Sequence, residues 1–222
     1  MLTDGKQESN SGGQCMEIIT AEIGLLRTNC YLVTDEESRE AFLIDPADRA
    51  DELARLIEKE DVKLKGILIT HGHFDHVVAA PELAAKYHVP IYCGEQEAEL
   101  LASPVLNESA AFRREVSVVA DRLLKDGQKL QLGKTEFTVI ATPGHTVGGV
   151  CYYAEKEQAV FSGDTLFFES VGRSDFHTGN ERTLMRSIKE RLYVLPDEVT
   201  VYPGHGPKTS IGYEKENNPY VY

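Results

Sequence analysis

The stretch Thr70-His71-Gly72-His73-Phe74-Asp75-His76 limits the choice of fold more than any other part of this chain. It follows directly on the apolar run Gly66-Ile67-Leu68-Ile69, which reads as a strand over residues 65–70. Three imidazoles and a carboxylate crowded beside a buried strand are costly unless compensated. Neighbouring imidazoles resist joint protonation, and a buried carboxylate needs a cation. A divalent metal meets both demands, because neutral imidazole and carboxylate are ligands that zinc accepts at about 2.0–2.2 Å. His71 and His73 stand two positions apart, so an extended backbone turns them the same way, and Gly72 lets the chain bend close to an ion. Asp75 and His76 lie further round the turn and address a second position nearby.

Three more turns repeat the theme. His145 sits in Thr142-Pro143-Gly144-His145-Thr146, Asp164 in Ser162-Gly163-Asp164-Thr165, and His205 in Tyr202-Pro203-Gly204-His205-Gly206. Each follows a predicted strand, over 137–141, 159–161 and 199–201 respectively. One histidine beside a glycine is ordinarily a loop residue; four such turns at strand ends point to one shared edge. Five histidines and two aspartates suit two divalent ions. His71, His73 and His145 would take one, Asp75, His76 and His205 the other, with Asp164 bridging. Each ion would keep open coordination, the mark of a catalytic site.

The remaining pattern fits that edge. Strands are predicted over 16–22, 29–34, 41–44, 91–93, 129–132 and 147–153, with a polar turn at 35–40. Helices are predicted over 49–60, where Leu53, Leu56 and Ile57 share a face, and over 81–87, 95–102 and 181–192. Residues 103–125 read as a loop or helical excursion over the site, and 211–222 as a polar, aromatic end. Strands followed by helices occur twice, in 16–102 and in 129–201. Two mixed β-sheets packed face to face with helices outside, a four-layer αββα sandwich of the α/β (α+β) class, bury both halves in one core. Residues 1–14 are expected to be a flexible tail and 15–222 a single domain.

Charge narrows the partners. Lys and Arg number 23 against 36 Asp and Glu, a formal net charge of −13, which argues against nucleic acid and against an anionic membrane surface. No apolar run approaches the roughly 20 residues that span a bilayer, and the polar start lacks a basic and an apolar signal region, so a cytoplasmic protein is expected. Cys15, Cys30, Cys93 and Cys151 are scattered and read as small buried hydrophobes rather than a disulfide framework.

The pattern His71-x-His73-x-Asp75-His76, His145, Asp164, His205 resembles the metallo-β-lactamase fold superfamily. Phe161-Ser162-Gly163-Asp164-Thr165-Leu166-Phe167 and Gly172-Arg173-Ser174-Asp175 look like its glyoxalase II branch, the hydroxyacylglutathione hydrolases. Ile211-Gly212-Tyr213-Glu214 and Asn218-Pro219-Tyr220 look like short bacterial members of that branch. The resemblance implies hydrolysis of a small-molecule thioester, such as S-lactoylglutathione, by a metal-bound hydroxide. Two ions are implied, zinc foremost with iron or manganese as alternatives, and with Asp75 and Asp164 in catalytic roles. Arg173 stands where the branch has a glutathione-contacting Lys and Asp175 where it has a contacting Tyr. The segment after His205 holds no counterpart of the helical domain that supplies basic contacts to glutathione.

Several readings stay open. Arg173 either clamps a carboxylate of the thiol portion or pairs with Asp175 or Glu169. His177 reads as a loop residue and His88 as a helix-terminal one; Tyr220 and Tyr222 dock on the body or on another subunit, leaving a homo-oligomer possible. The rival activity is a persulfide dioxygenase-like oxidoreductase of the same fold, with one iron on His71, His145 and Asp164. The charge disfavours a nucleic-acid phosphodiesterase, the complete ligand set disfavours a non-enzymatic module, and nothing directs the chain to the periplasm as a β-lactamase.

Overall fold

The computed structural model describes residues 16–221; the expected tail, Cys15 and Tyr222 lie outside them. The chain opens with β1 (Met16–Ile23), β2 (Thr28–Asp35) and β3 (Glu40–Ile44), then α1 (Ala50–Lys59) and β4 (Lys63–Leu68). Next come α2 (Phe74–Val77), α3 (Ala80–Tyr87), β5 (Ile91–Gly94), α4 (Ala98–Ala102) and β6 (Arg122–Leu124). The second half runs β7 (Lys129–Leu132), β8 (Thr135–Ala141), β9 (Val150–Ala154), β10 (Ala159–Gly163), β11 (Leu166–Phe167) and β12 (Ser170–Val171). It ends with α5 (Glu181–Ser187), β13 (Thr200–Pro203), β14 (Thr209–Ser210) and α6 (Ile211–Asn217).

Period-two burial decides the layering. Every residue of β2 is buried, so both faces of that strand need cover. Cys30 and Leu32 turn to one side and pack with Leu53 and Ile57 of α1 and Leu83 of α3. Tyr31 and Val33 turn to the other and meet Phe137, Tyr152 and Phe161 of the second sheet. In that sheet Tyr152 faces inward, while Cys151 and Tyr153 face outward to Leu184 of α5 and the π-helical turn Ile188–Leu192 that continues it. Two mixed sheets, ordered β1-β2-β3-β4-β5-β6 and β14-β13-β10-β9-β8-β7, therefore lie face to face with helices outside. This is the expected αββα sandwich. Each fully buried large side chain, such as Leu53 or Phe161, contributes about 1.5–3 kcal/mol.

Local chemistry sets the helix ends. α1 carries Asp51 and Glu52 in its first turn and Lys59 in its last, matching the helix dipole. Asn180 caps α5 by accepting from the Thr183 N–H at 2.9 Å, and Ser210 caps α6 through the Tyr213 N–H at 3.2 Å. Residues 103–121 form turns without a helix, and among the described residues no helix is long and apolar enough to cross a membrane. Cys30, Cys93 and Cys151 are free and buried, as expected.

Some boundaries differ from the sequence reading. The strand expected from residue 147 begins at Val150, because the Gly148 N–H is drawn to the Glu97 carboxylate at 2.8 Å and not to a ladder. The strand expected over 65–70 ends at Leu68, the helix expected over 95–102 starts with a 3₁₀ turn at Glu95–Glu97, and the polar end contains α6.

Candidate metal centre

Strand direction gathers the chemistry. Asp45 follows β3, His71 follows β4, His145 follows β8, Asp164 follows β10 and His205 follows β13, all leaving the C-terminal ends of their strands. β3 runs parallel to β4, and β10 parallel to β13. β8 is antiparallel to β9, which is antiparallel to β10, so β8 and β10 end on the same edge. The turns come very close there. Gly144 has φ 136°, a conformation closed to other residues at low cost, and a Cβ on it would collide with the backbone of Leu184 in α5. A Cβ on Gly204 would strike the Asp164 carboxylate and the His76 ring.

All seven expected side chains meet at this edge. His71, His73 and His145 place one ligand atom each within 4.8 Å of one another, as do Asp75, His76 and His205. Nδ1 of His73 faces Nε2 of His145 at 2.9 Å. Asp164 stands between the triads: Oδ1 is 3.4 Å from Nε2 of His76, and Oδ2 is 3.7 Å from Nε2 of His145 and 3.6 Å from Nε2 of His205. His205 Nε2 lies 3.2 Å from Asp75 Oδ2.

The cluster passes a test for fit to a cation. Nε2 of His71, His73 and His76 and Oδ1 of Asp164 are buried without a hydrogen-bond partner. Each such orphan costs about 1–3 kcal/mol, and all four belong to residues of this cluster. The Nδ1 atoms of His71, His76 and His145 are engaged, which orients those rings. His71 Nδ1 meets Thr70 Oγ1 at 3.2 Å, His76 Nδ1 donates to Asp45 Oδ2 at 2.9 Å, and His145 Nδ1 donates to the Arg173 carbonyl at 2.6 Å. Asp45, His71 and His76 also cluster closely enough to hold an ion. However, Asp45 already accepts from the Thr70 N–H at 2.8 Å and the Thr70 hydroxyl at 2.6 Å, which makes it an orienting carboxylate.

Electrostatics separate the two triads. Burial, reinforced by neighbouring imidazoles, holds His71 well below its ordinary value, and burial followed by the charge of His145 lowers His73 to about 3. Burial also lowers His145. Burial would lower His76 too, but Asp75, Asp164 and Asp45 outweigh it and raise that group well above its ordinary value. His205 is raised by Asp75 and Asp164 against its burial. Asp75 and Asp164 are lowered: burial opposes this, and the adjacent imidazoles, His76 first, prevail.

The centre opens on a cleft of about 350 Å³. Its walls are mostly apolar, with Leu26, Phe74, Phe112, Phe167, Val171 and Phe176 beside His73, Asp75, His145, Asp164 and His205. Phe112 packs against Phe74 with ring centroids 4.5 Å apart, which brings Glu108 and Phe112, within the 103–125 segment, to the cleft wall. Phe176 covers His73 with ring centroids 4.6 Å apart. Arg173 lies in the cleft wall, forms two bonds of 2.9 and 2.8 Å to Asp175, and rests on the Phe176 ring at 4.5 Å. His88 ends α3 and His177 follows the Phe176 loop; neither joins the triads or lines the cleft.

Sequence reasoning missed the supports. Asp45 carries no motif that marks it in the sequence, and its positive φ of 49° is not visible there. Glu97, fully buried, accepts from the Gly72 N–H and the Gly148 N–H at 2.8 Å each, and so clasps the two loops that carry His71, His73 and His145. Thr28 donates to Asp75 Oδ2 at 3.2 Å.

A family model described as "Metallo-beta-lactamase superfamily" matches residues 23–205. The chain is 34% identical to a hydroxyacylglutathione hydrolase GloC of Haemophilus influenzae, over 93% of this chain and 98% of that one. It is 35% identical to a probable metallo-hydrolase YqgX of Bacillus subtilis, over 90% and 94%. Among solved structures, the BLEG-1 B3 metallo-beta-lactamase superposes with TM-score 0.88 at 36% identity, covering 92% of this chain and 99% of that one. TTHA1623 in a di-iron-bound form gives 0.82 at 36% identity, covering 91% and 99%. ETHE1 from Myxococcus xanthus gives 0.79 at 31%, covering 92% and 84%.

Proposed function

The chain belongs to the metallo-beta-lactamase superfamily, and from that premise we propose that it is a metal-dependent thioester hydrolase acting on S-lactoylglutathione or a related acyl-thiol. One observation carries the reading: a complete second triad, Asp75, His76 and His205, lies beside the first, and Asp164 reaches both at the floor of an apolar cleft. His71, His73 and His145 would hold one divalent ion, Asp75, His76 and His205 the other, with Asp164 shared. When bound, such ions act as Lewis acids that polarise a carbonyl and lower the pKa of water from 15.7 toward about 7.

The chain's own residues supply the rest. Asp164 fixes the separation of the two positions. Asp75, held by the Thr28 hydroxyl and by His205, orients the attacking water through its carboxylate. Phe176 and Phe112 exclude bulk water above His73 and Phe74. A thiolate is a good leaving group, so no dedicated acid is needed at the sulfur. The relative crystallised in a di-iron-bound form supports two ions, and zinc, iron and manganese all accept this donor set.

The ETHE1 neighbour favours a second reading, a persulfide dioxygenase with one iron on His71, His145 and Asp164. Metal quantification of the purified protein, a panel of lactoyl thioesters and an oxygen electrode with glutathione persulfide separate the two. Thioester hydrolysis with two ions and no oxygen uptake is expected; oxygen uptake with one iron and inert thioesters would overturn the hydrolase.

A further inference from the structure

Glutathione carries two carboxylates and one ammonium at neutral pH, so an enzyme that selects it needs cations within reach. The cleft is poor in them. Among the described residues that line it, Arg173 is the sole Lys or Arg, and both of its bonds to Asp175 are already made. The Phe176 ring under its guanidinium holds it in that position. Glu108 lies in the same wall and adds negative potential at Arg173. We propose that the thiol carrier of the substrate is uncharged, and that Asp175 sets this preference by cancelling the cation of the cleft wall. The proposal rests on the thioester reading above.

Magnitudes limit what Asp175 does. Both partners are 68% exposed, so solvent screens the pair and a substrate carboxylate can draw Arg173 away. Opening the pair, however, frees the Asp175 carboxylate beside Arg173, with Glu108 in the same wall, and both oppose the incoming carboxylate. An uncharged carrier meets no such field and places its apolar chain against Leu26, Phe112 and Phe167. The reaction balances with water alone: a carbon–oxygen bond forms to the acyl carbon, the carbon–sulfur bond breaks, and the water proton not retained by the acid passes to the thiolate or to solvent.

The test compares lactoyl-N-acetylcysteamine with S-lactoylglutathione on the metal-loaded enzyme, in low and high salt. The neutral ester is expected to have the higher kcat/KM, by about ten-fold at low salt, and added salt should narrow the gap by screening. Asp175→Asn should shift the ratio about five-fold toward the glutathione ester, the equivalent of one exposed pair. A glutathione ester preferred by wild type, or a ratio unmoved by both salt and Asp175→Asn, overturns this proposal and leaves the hydrolase intact. If neither ester is cleaved, the thioester reading fails and takes this one with it.

Discussion

Both triads reach the cleft, but His71–His73–His145 contains three buried imidazoles, whereas Asp75–His76–His205 contains a carboxylate and is only half-buried at Asp75 and His205. In the first, burial keeps the rings neutral, so their lone pairs are ready for a cation with no proton to shed. In the second, the aspartates hold protons on His76 and His205, and an ion must displace them. The supports differ as well. Glu97 and the Arg173 carbonyl brace the first triad, while Asp45 and Thr28 brace the second. The two triads thus differ in the protons an ion would have to displace, and Asp164 is the group they have in common.

Asp164→Ala gives the largest expected effect because it touches both triads. Metal content and turnover should fall together, turnover by at least about a thousand-fold. Full activity with two bound ions in that variant would refute the bridging role and dissolve the link between the sites. A smaller and more selective effect comes from single ligands. His145→Ala should weaken the tighter of two metal-binding events by roughly a hundred-fold, and His205→Ala the weaker one, read by metal titration of the stripped protein. Equal losses in both events from either variant would mean that the triads do not bind separately.

The ligands were legible in the sequence because each follows a strand in a glycine turn, a signal confined to a few adjacent residues. The layers were legible because strands such as β2 are apolar on both faces. What holds the ligands in place was not. Asp45 reaches Thr70 across 25 positions, and Glu97 reaches Gly148 across 51. Such long-range bonds leave no local periodicity. Glu97 sits where a surface helix would carry an acid, and only its burial under two loops reveals what it does. The strand expected from Val147 failed for the same reason, since the Gly148 N–H answers to Glu97.

Those supports sharpen the comparison directly. Outer contacts to metal ligands are each worth about 10–100-fold in affinity. Glu97→Gln keeps the shape but turns an amide toward one glycine N–H, so it should weaken the first position by about ten-fold and spare the second. Asp45→Asn should weaken the second position most, through His76, and the first less, through the Thr70 hydroxyl that meets His71. Metal titration checks both, and a variant that lowers both affinities in parallel with the melting temperature of the stripped protein has lost packing, not orientation.

Acid provides the finest separation. His76 and His205 have raised values in the metal-free fold, so between the ordinary histidine value and those raised values they hold protons that a metal must expel. Their proton-linked stabilisation is fully present below the ordinary value and is lost as pH rises through the raised one. Metal affinity at the second position therefore falls as pH is lowered. The first triad behaves oppositely: His73 stays neutral down to about 3, so protons do not compete there near pH 6. Lowering pH from about 7.5 to 6.5 should weaken the second ion by at least about ten-fold relative to the first, within the roughly hundred-fold limit for two released protons. Isothermal titration in buffers of different ionisation enthalpy would count the protons. Equal release at the two steps would show that the carboxylates do not distinguish one triad from the other.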